Sequence, residues 1–163
     1  MPEHDPATIL LTHNKWANTQ IMNACATMSE DDFKRPIEMG MGSLYATMVH
    51  IGGAMRGWAD LLAGRGFRAR AEEASYERSA LVAMLDEAAD ELTQLASAHP
   101  MNEIVTRERG GKEYSFTRGA VITHVTTHGM HHRAQCLNML RQLGKESLPP
   151  ISVVEWTLMG EGR

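Results

Sequence analysis

The chain has 163 residues, of which 43% are hydrophobic and 22% are charged, so its composition is that of a globular protein. The 16 basic and 20 acidic residues give a formal net charge of −4, which argues against the broad basic surface of nucleic-acid-binding proteins. The apolar runs are far shorter than the roughly 20 residues of a membrane span, and the first residues do not resemble a secretory signal. Two cysteines do not make a disulfide framework. We therefore expect a cytoplasmic protein that binds neither nucleic acid nor membrane.

A helix start opens the chain, because Asp5 is a favourable N-cap and Pro6 fits the first helical position. Apolar residues then recur at helical spacing, so the first helix is expected to run to near Ser29, where a charged turn follows. A second helix is predicted from near Ser43 to about residues 64–66. Its apolar residues alternate steps of four and three, which indicates one packed stripe: Leu44, Met48, Ile51, Met55, Trp58 and Leu62.

The third predicted helix, from about Ser75 to His99, follows a polar and charged connector of residues 65–73. Its apolar stripe has the same spacing, through Leu81, Leu85, Ala88, Leu92 and Leu95. Residues 102–117 then break the helical period. The glycine pair at 110–111 tolerates the positive φ of a tight turn, so this segment is predicted to form a small β-hairpin.

The fourth predicted helix runs from about Thr117 to Leu143 and is closed by Gly144. Residues 151–159 form an apolar tail that fits either a short strand or a turn of helix. Four amphipathic helices predict an all-α fold, a four-helix bundle with a small β-hairpin between helices three and four. The long connections allow non-sequential packing, so the order of the helices around the bundle stays open.

Half of the eight histidines lie within nine residues of the fourth predicted helix, at His124, His128, His131 and His132. Imidazoles four positions apart on a helix can reach one metal ion, so two pairs in this cluster are candidate metal-binding pairs. Neither pair has the Glu of the H-E-x-x-H metalloprotease motif. Hydrogen-bonded or solvated histidines would explain the cluster equally well.

A third ligand must come from another helix, and His50 is the candidate. Gly53 and Gly57 lie on the same face of the second predicted helix. A glycine inside a helix costs about 1 kcal/mol relative to alanine. The two glycines therefore indicate that space is kept beside His50, either for a neighbouring backbone or for a ligand.

The other residues that could bind a metal ion or have a polar role are assigned on weaker grounds. Cys136 lies on the same helix as the histidine cluster, but a buried and inert thiol is the favoured state of both cysteines. Arg133 points away from the histidine face and is expected to anchor another helix or a dimer contact. Terminal or surface positions are expected for His4, His13 and His99, with the bundle interior as an alternative for His13.

Two blocks of this sequence are similar to the DinB family (DinB/YfiT-like metalloenzymes). The first is His50-Ile51 followed by Trp58-Ala59-Asp60-Leu61-Leu62-Ala63-Gly64, and the second is the H-x-x-H-H-R-x-Q block within residues 124–135. Residues 14–18 and 140–144 also resemble that family. The resemblance covers essentially the whole chain, and it implies a single DinB-like four-helix-bundle domain over residues 1–163.

The resemblance also implies a divalent metal ion held by three histidines. Matched position by position, the metal ligands are His50, His128 and His132, whereas His124 and His131 are not primary ligands. Family members often carry an acidic residue five positions after the first of these histidines. This chain has Met55 at that place, so it departs from the family pattern there.

Three imidazoles leave at least one coordination position open, as in catalytic zinc sites. Some relatives are S-transferases that use a low-molecular-weight thiol such as bacillithiol, mycothiol or glutathione, so a metal- and thiol-dependent S-transferase-like enzyme with a small-molecule substrate is the favoured function. A bound ion would lower the pKa of that thiol. One alternative is a hydrolase that uses a metal-bound hydroxide. The other is a non-enzymatic metal-binding protein of the stress response.

The sequence limits the choice of ion and leaves the catalytic residues unassigned. Zinc and nickel suit imidazole ligands best, with iron or manganese as further options. No Asp or Glu stands out as a partner for a hydrolytic water, which makes the hydrolase less attractive than the transferase. A homodimer is one option for the assembly.

Overall fold

The computed structural model describes residues 5–160. The elements, in chain order, are α1 (Pro6–Cys25), α2 (Glu30–Phe33), α3 (Leu44–Leu62), a 3-10 turn (Ala71–Glu73), α4 (Arg78–Ala98), β1 (Ile104–Arg109), β2 (Lys112–Thr117), α5 (Arg118–Gln142) and α6 (Val153–Leu158). The long helices α1, α3, α4 and α5 and the antiparallel hairpin between α4 and α5 confirm the predicted all-α bundle.

The long helices follow one another around the bundle in the order α1, α4, α3, α5, since α1 and α3 each contact both α4 and α5. The connections over residues 26–43 and 99–117 therefore join helices that lie across the bundle from each other. Residues 63–77 join the neighbours α3 and α4. No helix within residues 5–160 combines the length and the apolar character needed to cross a membrane.

Local sequence signals set the ends of the helices. The Asp5 carboxylate accepts hydrogen bonds from the backbone N–H groups of Ala7 and Thr8, as its N-cap position predicts. The first helix ends at Cys25, earlier than predicted, and the expected charged turn is the short helix α2. Its cause is Ser29, whose hydroxyl accepts from the Asp32 backbone N–H at 3.0 Å and so caps a new helix.

The apolar stripes predicted for α3 and α4 form much of the core. Nine of their eleven members are almost fully buried: Leu44, Met48, Ile51, Met55, Leu62, Leu81, Leu85, Ala88 and Leu92. In the hairpin, Gly110 and Gly111 both have positive φ, at 60° and 73°, which is the backbone of a tight two-residue turn. The hairpin therefore forms where the glycine pair predicted it.

The apolar tail forms the short helix α6, which settles the choice between strand and helix. Ser152 and Glu155 build a capping box at its start. His13 on α1 is 1% exposed, and its Nε2 lies 2.9 Å from the carbonyl oxygen of Ile151. The surface position expected for His13 is therefore wrong, because its ring ties this tail to the bundle interior. His99 is exposed as predicted, and His4 lies outside the described residues.

Candidate metal centre

Three histidines from two helices meet at one point of the bundle. His50 comes from α3, and His128 and His132 come from successive turns of α5. One ring nitrogen from each lies within 4.8 Å of the other two, so the group could hold a metal ion. The Nε2 atoms of His50 and His128 are 3.2 Å apart. The structure thus brings together the three residues that the family resemblance implied as ligands.

Hydrogen bonds on the far side of two rings orient these imidazoles. The Nδ1 of His50 lies 2.9 Å from Oε1 of Glu72, and the Nδ1 of His132 lies 2.8 Å from Oε1 of Gln135. A carboxylate and an amide oxygen only accept, so each Nδ1 carries the proton. The Nε2 atom of each ring is then the free acceptor that a metal ion requires. Such outer contacts are the usual support of metal-binding histidines.

The burial of the site favours neutral imidazoles. Burial, with a further contribution from the neighbouring histidines, lowers the pKa of His128 to about 4. Burial likewise lowers the pKa of His132, against a smaller opposing effect of the hydrogen bond to Gln135. Because histidine must be neutral to bind a metal ion, these two rings are in the ligating form at neutral pH.

The spacing of the nitrogens fits an ion. With metal–nitrogen bonds of about 2.0–2.1 Å, octahedral or tetrahedral angles place neighbouring ligand nitrogens roughly 2.8–3.4 Å apart. The separation of 3.2 Å between the two Nε2 atoms of His50 and His128 lies within that range. The oriented rings and their spacing therefore both suit a divalent cation with imidazole ligands.

Comparison with known proteins agrees with this architecture. The family model described as DinB family matches residues 1–155 of the chain. The chain belongs to the DinB family. One relative is Protein DinB of Bacillus subtilis (strain 168), which is 24% identical over 155 residues, covering 89% of this chain and 90% of the relative.

Two of the clustered histidines in this DinB-family chain stand apart from the three-histidine group. The ring of His124 is exposed and packs against Trp58, with centroids 5.0 Å apart. His131 is also exposed, and its Nε2 lies 3.1 Å from Nε2 of Gln135. Neither belongs to the group of His50, His128 and His132 that the geometry assembles.

Two residues considered from the sequence face elsewhere. Cys136 is fully buried against Met48, and burial raises the pKa of its thiol to about 12. It is therefore an inert core thiol, as favoured from the sequence. Met55 is also buried, and its sulfur accepts from the side-chain amide of Asn14 on α1 at 3.3 Å. The position at which DinB-family members often carry an acid thus faces α1 in this chain.

Arg133 anchors α5 to α1, as one of its two predicted roles. Its Nη1 donates to Oδ1 of Asn14 at 2.7 Å and to Oδ1 of Asn18 at 2.8 Å, and all three side chains are buried. This polar contact lies on the α1 side of α5, whereas His128 and His132 lie toward α3. One helix therefore carries both the bundle anchor and most of the candidate metal centre.

The two glycines near His50 have different structural roles: one allows close packing of the chain, and the other borders open space. A Cβ on Gly53 would lie 3.1 Å from the Cβ of Ala71 and 3.2 Å from Oε2 of Glu72, so this glycine lets the connector approach α3 closely. A Cβ on Gly57 would meet nothing within 4 Å, and this residue lines an open cavity. Close packing explains the first glycine, and open space surrounds the second.

That cavity has a volume of about 510 Å³ and begins at His50. Its walls are α3, the connector and strand β1. Among its lining residues, those used below are His50, Trp58, Phe67, Glu72, Arg107 and Arg109. One of the three histidines, His50, therefore borders a space large enough for a small organic molecule.

Glu72 was missed by the sequence analysis. It lies in the charged connector, where no helical or strand period gives a side chain a direction, and its contact with His50 spans 22 positions of the chain. The arginines of β1 were missed as well. Their alternation at 107 and 109 was a usable signal, because residues two apart on a strand point to the same face.

Proposed function

We propose that this DinB-family protein binds a divalent metal ion through His50, His128 and His132 and acts as an S-transferase-like enzyme with a low-molecular-weight thiol. The observation that supports the proposal is the convergence of three imidazole nitrogens beside an open cavity. Imidazole ligands favour zinc or nickel. The substrate would be a small molecule held in the cavity.

A bound ion would supply Lewis acidity, which lowers the pKa of a thiol or a water in its open coordination position. The residues of the chain prepare the site for it. Glu72 and Gln135 hold the rings of His50 and His132 in one orientation. The burial of His128 keeps its ring neutral.

The nucleophile has to come from outside the chain. Among the described residues that line the cavity, none is a serine, threonine, cysteine or lysine. Both cysteines are buried, and burial raises the pKa of Cys25 to about 11 and that of Cys136 to about 12. A free thiol that binds as a second substrate would supply the nucleophile.

The carboxylates of the cavity favour transfer over hydrolysis. Glu72 accepts from His50, and Asp60 is held by the guanidinium groups of Arg65 and Arg68 at 2.7 and 2.9 Å. Neither carboxylate is therefore available to activate water as a general base. A thiol that loses its proton on binding needs no such base.

The metal site is tested by elemental analysis of protein purified without a nickel column. We expect one divalent ion per chain in the wild type and loss of most of it in the His50→Ala and His128→Ala variants. The His124→Ala variant is the matched control, since it removes a histidine of the same cluster that lies outside the three-histidine group, and it should keep the ion. Equal metal content in all four proteins would refute the site.

The wild type and the His50→Ala variant, each incubated with an excess of a divalent metal ion, test the transfer reaction. Glutathione, bacillithiol and mycothiol are each mixed with an aryl chloride, so that a carbon–sulfur bond forms, chloride leaves and the thiol proton passes to buffer. We expect product formation with at least one thiol, and a rate at least tenfold lower in His50→Ala. Equal rates in both proteins would contradict the transferase, and hydrolysis of an aryl ester without thiol would support the hydrolase instead.

A further inference from the structure

The hairpin between α4 and α5 separates its charges between two faces. The register pairs Arg109 with Lys112 and Arg107 with Tyr114 on one face. On the other face, Glu108 pairs with Glu113. One face is thus basic and aromatic, and the opposite face is acidic. We call the side carrying Arg107, Arg109, Lys112 and Tyr114 the basic face.

This arrangement is unfavourable for the hairpin itself. Like charges directly opposite one another destabilise a strand pair, whereas opposite charges stabilise it by roughly 0.2–1 kcal/mol. The hairpin holds two such like-charged pairs, Arg109 with Lys112 and Glu108 with Glu113. A sequence that served only to stabilise the hairpin would mix the signs. The segregation indicates that the basic face has a partner outside the hairpin.

The basic face borders the cavity of the candidate metal centre. At its base, the ring of Phe116 packs edge-on against Trp58 of α3, with centroids 5.9 Å apart. Arg107 and Arg109 line both the cavity that begins at His50 and a neighbouring cavity of about 550 Å³, which also reaches Lys112 and Tyr114. The arginines therefore line the same space as His50 of the candidate metal centre.

Nothing within residues 5–160 neutralises these two arginines. Neither Arg107 nor Arg109 has a carboxylate partner among the ion pairs of that part of the chain. The guanidinium of Arg107 instead lies over the ring of Phe67, at 4.4 Å, and its buried Nε has no hydrogen-bond partner. The two acids that line the cavity are already engaged, as described above. The cavity therefore combines unpaired cations with aromatic walls.

We infer that the basic face binds the anionic group of a small organic molecule, a carboxylate or a phosphate, whose apolar part rests against Trp58 and Phe67. The reacting end of this molecule then lies toward His50. The assignment of this molecule as a substrate rests on the proposed function, whereas the anion site itself does not need the metal ion. Arginine suits this role because its planar guanidinium binds carboxylate and phosphate through paired hydrogen bonds.

The test is binding of small aromatic probes to metal-free protein, treated with a chelator and followed by nuclear magnetic resonance titration at fixed ionic strength. Benzoate and phenyl phosphate are the anionic probes, and benzamide is the neutral probe of the same shape. We expect both anions, or one of them, to bind at least tenfold more tightly than benzamide. The stronger anion identifies whether the site prefers carboxylate or phosphate.

Two double variants that each lose two positive charges distinguish binding at this site from general electrostatic attraction of the protein for anions. Arg107→Gln with Arg109→Gln should weaken anion binding by about tenfold or more. Arg35→Gln with Arg141→Gln removes two exposed cations elsewhere and should leave binding unchanged. Equal binding by the two double variants, or anions that bind no better than benzamide, would overturn the inference. Since metal-free protein is used, failure of this site and failure of the metal centre give different results.

Discussion

At the scale of single residues, one carboxylate decides how the candidate metal centre is supported. Glu72 reaches His50 from the 3-10 turn of the connector, and its Oε1 accepts from the Nδ1–H. Burial raises the pKa of Glu72, but hydrogen bonds from His50 and from the backbone outweigh it, so the net pKa is lowered. The carboxylate is therefore ionised at neutral pH, which strengthens its hold on the ring and raises the basicity of Nε2.

Replacing Glu72 tests this support. The Glu72→Gln variant keeps an oxygen acceptor for the Nδ1–H of His50 but loses the negative charge, so we expect metal affinity to fall by roughly 10- to 100-fold. Competition with a chromophoric chelator measures the affinity. Glu73→Gln removes the same charge from the neighbouring exposed residue and should leave the affinity within about twofold. A Glu72→Gln variant that binds metal as tightly as Glu73→Gln would show that the contact does not support the site.

At the scale of elements, the sequence predicted what depends on local pattern. The stripes of α3 and α4 and the glycine turn of the hairpin follow from helical or strand spacing. Spacing left two histidine pairs of α5 open, and the choice of His50, His128 and His132 came from the resemblance to the DinB family. The end of α1 at Cys25 was not predicted, because the helical spacing of apolar residues continues beyond it. The Ser29 side chain caps a new helix there instead. The contact of Glu72 with His50 escaped prediction because a connector has no period, and only the packed bundle brings its side chain to α3.

Substitution by alanine at two glycines inside long helices should change the free energy of unfolding in opposite directions. A Cβ on Gly129 of α5 would lie 2.6 Å from Oδ1 of Asn14 and 2.8 Å from Nη1 of Arg133, and these atoms are buried and hydrogen-bonded to each other. We expect Gly129→Ala to lower the free energy of unfolding by about 1–3 kcal/mol. Gly57→Ala adds the same methyl group to α3 in open space, so it should raise that free energy by about 0.5–1 kcal/mol.

Urea denaturation of the two glycine variants measures both changes. Alanine has the higher helix propensity at each site, so a difference in sign between the variants isolates the packing against Arg133. If both substitutions stabilised the protein, the Arg133 contact could not be tightly packed. If both destabilised it, the space around Gly57 would have to be filled.

At the scale of the whole molecule, α5 connects the two sides of the bundle. Its Arg133 is buried and bound to α1, and burial lowers the pKa of that guanidinium to about 10. The same helix presents His128 and His132 toward α3. The position of α5 between α1 and α3 thus places a fixed polar anchor behind the candidate metal centre. Rotation of α5 would break the anchor and the three-histidine group together.

The C-terminal segment is tied back to α1 through His13, and this contact predicts a pH dependence of stability. Burial lowers the pKa of His13, against a smaller opposing effect of the hydrogen bond to Ile151, so the folded state binds fewer protons than the unfolded state below about pH 6.5. The contribution of His13 to the free energy of unfolding is therefore complete above that pH. It decreases as the pH drops below that value, because the unfolded state takes up a proton more readily. His13→Gln removes the titration, so the stability difference between wild type and variant should narrow from pH 7.5 to pH 5. Urea denaturation of chelator-treated proteins measures this difference, and a gap that stays constant or widens would show that His13 does not couple protonation to folding.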